Sequence, residues 1–120
     1  MTAESTDPAV FAIARENRGS TAILRLRGDL DMLTAPILDE ALSAASDCAT
    51  VLLDVSTVGF VGSSGLSQFV KHHRLSAERG TRLVVVTGTN RVVLRPLTLL
   101  QLDLVLNLAD TIEDALAVTS

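Results

Sequence analysis

Two adjacent serines, Ser63 and Ser64, lie in a turn that also holds Gly59, Gly62 and Gly65, just before a segment with helical periodicity. A serine at the start of a helix faces unpaired backbone N–H groups and the positive end of the helix dipole. Two chemistries suit that arrangement. One serine can cap the helix while the glycines shape the turn. Alternatively, the turn is a phosphate site, either for a bound ligand or on a serine itself. A second segment of interest is Gly28-Asp29-Leu30-Asp31-Met32-Leu33-Thr34, which puts two carboxylates and a hydroxyl within seven residues.

Other chemistries fail on spacing. Gly59 to Gly65 contains no lysine and matches neither G-x-x-x-x-G-K-[ST] nor G-x-G-x-x-G, so it is not a nucleotide phosphate loop. Gly62-Ser63-Ser64-Gly65-Leu66 is not G-x-S-x-G either, which removes the hydrolase elbow and leaves no catalytic residue to name. His72 and His73 are adjacent, point to different helix faces, and lack the i, i+4 spacing of shared metal ligands. No metal or cofactor is expected. His73 falls on the apolar stripe and is expected to be half-buried, with His72 exposed. Cys48, the single cysteine, excludes an internal disulfide and is expected to be a small buried apolar residue.

Composition narrows the function classes further. The 120 residues are 48% hydrophobic and 20% charged, as in a packed domain with its own core. Ten basic against fourteen acidic side chains give a net charge of -4. Such a chain is a poor nucleic-acid binder, because that affinity comes from Lys and Arg on phosphates. With no Trp or Tyr and only three Phe, it also lacks stacking platforms for bases. The longest apolar stretch, Leu97 to Leu108, is interrupted by Thr98, Gln101, Asp103 and Asn107, and is too short to span a bilayer. Met1 to Pro8 reads as a loose acidic leader, not a secretory signal. One cytoplasmic domain over residues 9–120 is expected.

The elements that must position these residues follow from periodicity. Phe11 to Arg15 reads as a short strand and Asn17 to Ser20 as a turn. Thr21 to Arg27 alternates, with Ala22, Leu24 and Leu26 on one buried face. Gly28 to Leu33 reads as a loop, and Thr34 as the cap of a helix with Pro36 in its first turn and Leu38, Ala41, Leu42 and Ala45 on its apolar side. Val51 to Val55 and Leu83 to Val86 are continuous apolar runs suited to interior strands. Between them lies a helix with Leu66, Phe69, Val70, His73 and Ala77 as its stripe and Gly80 as its stop. The loop after Val55 is expected to run from Val58 to Leu66. Asn90 can cap a helix that Pro96 should kink or shorten. Leu104 to Leu106 reads as a final strand. Asp110 to Glu113 resembles a capping box opening a last helix with Ile112, Ala115 and Leu116. The order β-β-α-β-α-β-α-β-α describes an α/β domain: a mixed sheet with parallel central strands, packed by about four helices. Working sites in such sheets lie beyond the carboxyl ends of the strands, which puts both candidate loops on one rim.

With those residues in place the chain resembles the STAS domain family, and within it the anti-sigma factor antagonists of bacteria. The family pattern G-x-L-D-x-x-T reads here as Gly28, Leu30, Asp31 and Thr34. An apolar strand carrying Asp54 comes next, and the pattern F-[apolar]-D-S-S-G-L reads as Phe60, Val61, Gly62, Ser63, Ser64, Gly65 and Leu66. Gly62 stands where the pattern has Asp, and Gln101 stands where the family usually ends its third helix with Gly. The resemblance implies a protein-binding switch, not an enzyme. Its partner would be an anti-sigma factor that is also a serine kinase. Ser63 would be the phosphorylated residue, with Ser64 the secondary candidate, and a serine phosphatase would reverse the modification. Asp29, Asp31, Thr34, Gly62, Ser63, Ser64, Gly65 and Leu66 would form the docking surface. An alternative keeps the fold and drops the switch: an unphosphorylated scaffold subunit of a larger bacterial complex.

Overall fold

A computed structural model describes residues 10–119; the expected leader, residues 1–8, lies outside them. The elements are β1 (Ala12–Arg18), β2 (Thr21–Leu30), α1 (Ala35–Ala44), β3 (Thr50–Val61), α2 (Ser63–Arg79), β4 (Arg82–Val86), α3 (Arg91–Leu99), a 3-10 turn (Leu102–Leu104), β5 (Asn107–Ala109) and α4 (Ile112–Thr119). The strands lie side by side in the order β1-β2-β3-β4-β5. β1 pairs antiparallel to β2, and β2 to β5 run parallel, so the sheet is mixed as expected.

Strand alternation splits the core in two. Leu24, Leu53 and Val85 face one side, where Leu38 and Leu42 of α1, Phe69 of α2, and Val93 and Leu97 of α3 cover them. Ile23, Leu52, Val84 and Val86 face the other side, under Ala115 and its neighbours on α4. β2 is therefore covered on both faces, not one. Burying each such side chain contributes about 1.5–3 kcal/mol. No helix among the described residues is long and apolar enough to cross a membrane.

Several boundaries differ from the sequence reading, each for a packing reason. β2 runs on through Gly28 to Leu30, and β3 runs on to Val61, so both candidate loops begin later than expected. The β2–β3 pairing allows this by shifting register twice, between Arg25 and Arg27 and between Gly28 and Asp29. α3 continues through Pro96 to Leu99. The proline forfeits one backbone donor, while Val93 and Leu97 on either side of it are fully buried and hold the helix to the sheet. The last strand begins at Asn107, where the chain meets Val84 of β4, and Leu104 belongs to the preceding 3-10 turn. Thr111, one residue later than the expected box, caps α4 by accepting the N–H of Asp114 at 3.0 Å.

The buried stripe of α2 is Gly65, Leu66, Phe69 and His72; Val70 is only partly buried and Ala77 is exposed. His72, expected outside, is 5% exposed, and His73 is half-buried. The stripe can turn inward at His72 because Asp39 of α1 meets its ring: Nε2 lies 2.7 Å from Asp39 Oδ1. A buried imidazole without such a partner would be costly. Lys71 Nζ reaches the same oxygen at 3.0 Å. These two hydrogen bonds, that of His72 foremost, hold the Asp39 carboxyl below its ordinary range.

Two stability measurements follow. Asp39 binds its proton less readily in the folded chain than in the unfolded one, so its contribution is present above the unfolded value near 3.8 and is lost as pH falls through the lower folded value. The melting-temperature gap between wild type and Asp39→Asn should persist at neutral pH and close below about pH 3.8; a gap that widens in acid would contradict the linkage. Separately, Gln101 holds φ at 59°, a left-handed conformation that disfavours a side chain. Gln101→Gly should raise stability in urea by about 1 kcal/mol, the relieved strain being partly offset by a freer unfolded chain.

Candidate functional site

The site is built around Leu30, the last residue of β2, which is 0% exposed. Its carbonyl accepts the N–H of Gly62 at 2.9 Å, fastening the end of β2 to the turn that opens α2. Its side chain fills the space beside Gly65: a Cβ there would lie 2.6 Å from Leu30 Cγ and Cδ2. Only glycine lets the first turn of α2 approach that closely. Gly28 plays a similar part on the other side. Its φ is +89°, and a Cβ there would lie 2.6 Å from the Phe11 Cα, so the start of the first hairpin crosses directly over it. The Gly65 contact brings the two candidate loops onto one rim, and the Gly28 contact ties the first of them to the hairpin.

The irregular end of β3 is held from outside the strand. Asn90 donates from its side-chain amide to the carbonyls of Val55 and Val58, at 3.0 and 2.9 Å. Its Oδ1 meanwhile accepts the N–H of Val92, capping α3 as expected. Asp54 Oδ1 accepts from Ser56 N at 3.0 Å, and the Thr57 hydroxyl donates to the Leu26 carbonyl at 3.0 Å. Buried carbonyls freed by a bulge need such partners. Residue type flagged Asn90 as a helix cap; its hold on β3 depends on a contact across thirty-odd residues of chain, which spacing does not reveal.

The acidic loop is locked by its own side chains. Asp31 Oδ1 accepts from Leu33 N at 3.0 Å and from Thr34 N at 3.1 Å. The Thr34 hydroxyl accepts from Asp31 N at 2.9 Å and lies 2.8 Å from the Asp29 carbonyl, to which it donates. Thr34 does occupy the capping position of α1, but its hydroxyl bonds backward into the loop and does not cap the helix. Asp31 and Thr34 thus shape the rim. What they push outward is apolar: Met32 is 76% and Leu33 82% exposed; Ile37 of α1 and Phe60 near the end of β3 are about half-exposed. The sequence reading missed these four. A signal was present, since Ile37 falls out of phase with the Leu38–Leu42 stripe. Asp29 is exposed, whereas Gly65 and Leu66 are buried and act from beneath the surface.

Neither serine caps α2. Gly62 takes the capping position in an extended conformation (φ -100°, ψ -177°), and no side chain caps the helix. Ser63 is the first residue of α2 and is exposed; Ser64 is half-buried. The Ser63 hydroxyl makes no hydrogen bond within the described residues. The first turn of this 17-residue helix carries no acidic residue, so its positive end is uncompensated. Among the described residues no group of three His, Cys, Asp or Glu side chains is placed to hold a metal. Cys48 is partly buried against the core, with Arg15 Nη2 3.6 Å from its sulfur.

Comparison with known proteins gives a consistent picture. The STAS domain family matches residues 12–115. The anti-sigma-F factor antagonist RsfB of Mycobacterium tuberculosis is 30% identical over 111 residues, which cover 91% of this chain and 89% of that protein. The crystal structure of an anti-sigma factor antagonist from Mycobacterium paratuberculosis superposes with a TM-score of 0.78 at 29% identity, covering 95% of this chain and 97% of that one. SpoIIAA, an anti-sigma factor antagonist, shares the fold in its unphosphorylated form, with a TM-score of 0.73, 21% identity, and coverage of 88% and 93%. The phosphorylated form of Bacillus SpoIIAA superposes at 0.70, with 19% identity and coverage of 91% and 100%. From its first strand to its last helix, this chain belongs to the STAS domain family.

Proposed function

We propose that this protein is an anti-sigma factor antagonist that docks onto an anti-sigma factor with serine kinase activity and so frees a sigma factor. Phosphorylation of Ser63 ends the docking, and a serine phosphatase restores it. The observation that carries this reading is the state of Ser63: an exposed, unbonded hydroxyl at the uncompensated start of α2, on the same rim as Asp29 and Asp31. The curated relative and the 29%-identical structure, both antagonists by description, support it.

The rim has the parts such a switch needs. Met32, Leu33, Ile37 and Phe60 offer apolar contact, since exposed apolar residues in a cluster mark interaction surfaces. A phosphate on Ser63 adds about -1.5 to -2 charges. The helix N-terminus favours that charge within the chain, so the domain has no cause to unfold. Docking weakens where the phosphate faces carboxylates of the bound partner, since unit charges 4–8 Å apart near a surface repel by roughly 2–4 kcal/mol before screening. Half of that lowers affinity about tenfold. Gly62, in place of the family Asp, is no backbone requirement, because its φ and ψ suit any residue. A Cβ there would sit 3.3 Å from the ring of Phe60, an exposed side chain with room to move.

Mixing the protein with an anti-sigma factor kinase of its own organism should give a complex. Ser63→Glu should bind about tenfold more weakly, and equal affinity would remove the switch while leaving the docking. Leu33→Asp should weaken docking at the apolar rim without altering the fold, as judged by circular dichroism. After incubation with kinase and ATP, mass spectrometry should place phosphate on Ser63, and Ser63→Ala should remain unmodified. No phosphate on either Ser63 or Ser64 would favour the constitutive scaffold.

A further inference from the structure

A second surface leads away from the rim along α2. The outer face of this helix and the chain after α3 enclose an open groove of about 500 Å³. Leu66 and Val70 of α2, with Leu100 and Leu102 opposite, form its apolar walls. Lys71 and Arg74 stand along it, and Ser63 closes one end. The apolar surface continues outward: Leu99, Leu100 (60% exposed), Leu104 (78% exposed) and Val105 all face solvent. Beyond it Arg91 and Arg95 of α3 line an adjoining depression with Leu99.

Three of the four cations on this face are uncommitted. Arg74, Arg91 and Arg95 make no side-chain hydrogen bond or ion pair within the described residues. Lys71 meets only Asp39, an exposed-side pairing worth little in water. In the first hairpin, by contrast, Arg18 and Arg25 both pair with Glu16. A chain of net charge -4 thus leaves free arginines around exposed leucines.

We propose that this groove is a second docking surface, made for an acidic amphipathic helix of a protein partner. Length, shape and charge fit that occupant. From Ser63 to Arg74 the groove follows α2 for about 16 Å, or three helical turns. Helix-in-groove recognition needs an apolar trough read by residues at i, i+3, i+4 and i+7, and flanking arginines select carboxylates beside that stripe. A bilayer fits less well, because the trough is concave. Ser63 at the groove's end couples the two surfaces, and this coupling rests on the function proposed above. Phosphate there would repel the carboxylates of a bound helix.

The test needs no kinase. The full chain is titrated by NMR with a designed peptide of about four turns, carrying Leu at i, i+3, i+4 and i+7 and Glu on both flanks. Expected are amide shifts along residues 66–74 and 99–104, an affinity at least tenfold weaker for the double variant Arg74→Glu/Leu100→Asp, and no binding of the same peptide with Lys replacing each Glu. Circular dichroism confirms that the variant folds. Ser63→Glu should weaken the peptide several-fold; unchanged affinity would overturn the coupling. Equal binding of the Lys peptide, or shifts confined to the Met32–Leu33 rim, would overturn the groove as an acidic-helix site. Two other outcomes would also overturn it. One is binding to phosphatidylglycerol vesicles in place of the peptide. The other is self-association that Leu100→Asp abolishes, which would give the face to a second copy.

Discussion

The contact between Leu30 and the first turn of α2 sets everything that the rim can do. One hydrogen bond, from Gly62 N to the Leu30 carbonyl, joins two segments more than thirty residues apart. One missing Cβ, at Gly65, lets the Leu30 side chain occupy the place that any other residue would claim. Because β2 and β3 run parallel, their carboxyl ends meet on the same side of the sheet. The glycine then closes the remaining distance. The consequence is a serine hydroxyl at a helix start, next to a loop whose acidic and threonine side chains are already occupied in holding it.

That division of labour separates shape from charge. Asp31 and Thr34 spend their hydrogen-bonding capacity inside the loop, so removing either would loosen the rim before it altered any intermolecular contact. Asp29 is exposed. The apolar residues displaced outward supply contact area, and the helix end supplies a place where negative charge is tolerated by the fold itself. On the proposed function, charge added there changes affinity without a change of structure.

Much of the architecture was legible because the interior strands are written in continuous apolar runs. Val51 to Val55 and Leu83 to Val86 permit few other readings, and the order of the elements followed. The misplaced details share one cause: tertiary contacts decided them. A 3.6-residue period fits both His72 and His73, and only Asp39 on another helix makes His72 the buried one. Pro96 breaks a helix in isolation but not one pinned by Val93 and Leu97. Gln101, which the family pattern marks as standing in place of Gly, does adopt the left-handed turn that suits glycine. At the site, the motifs pointed to two loops that the structure brings onto one rim. Which of them face solvent, which only shape the backbone, and which apolar neighbours they expose depended on side-chain hydrogen bonds within the loop.

The central claim is electrostatic: charge added to a preformed surface, with no refolding, controls docking. The most direct measurement is the affinity of unmodified and Ser63-phosphorylated protein for the kinase anti-sigma factor, each across a range of salt concentrations. Repulsion between partly exposed charges is screened within a Debye length of about 8–10 Å at physiological ionic strength. The account predicts a gap of about tenfold at low salt that narrows steadily as salt rises, with superimposable amide spectra away from the rim. A gap that does not respond to salt, or a phosphorylated protein whose core resonances move, would contradict it.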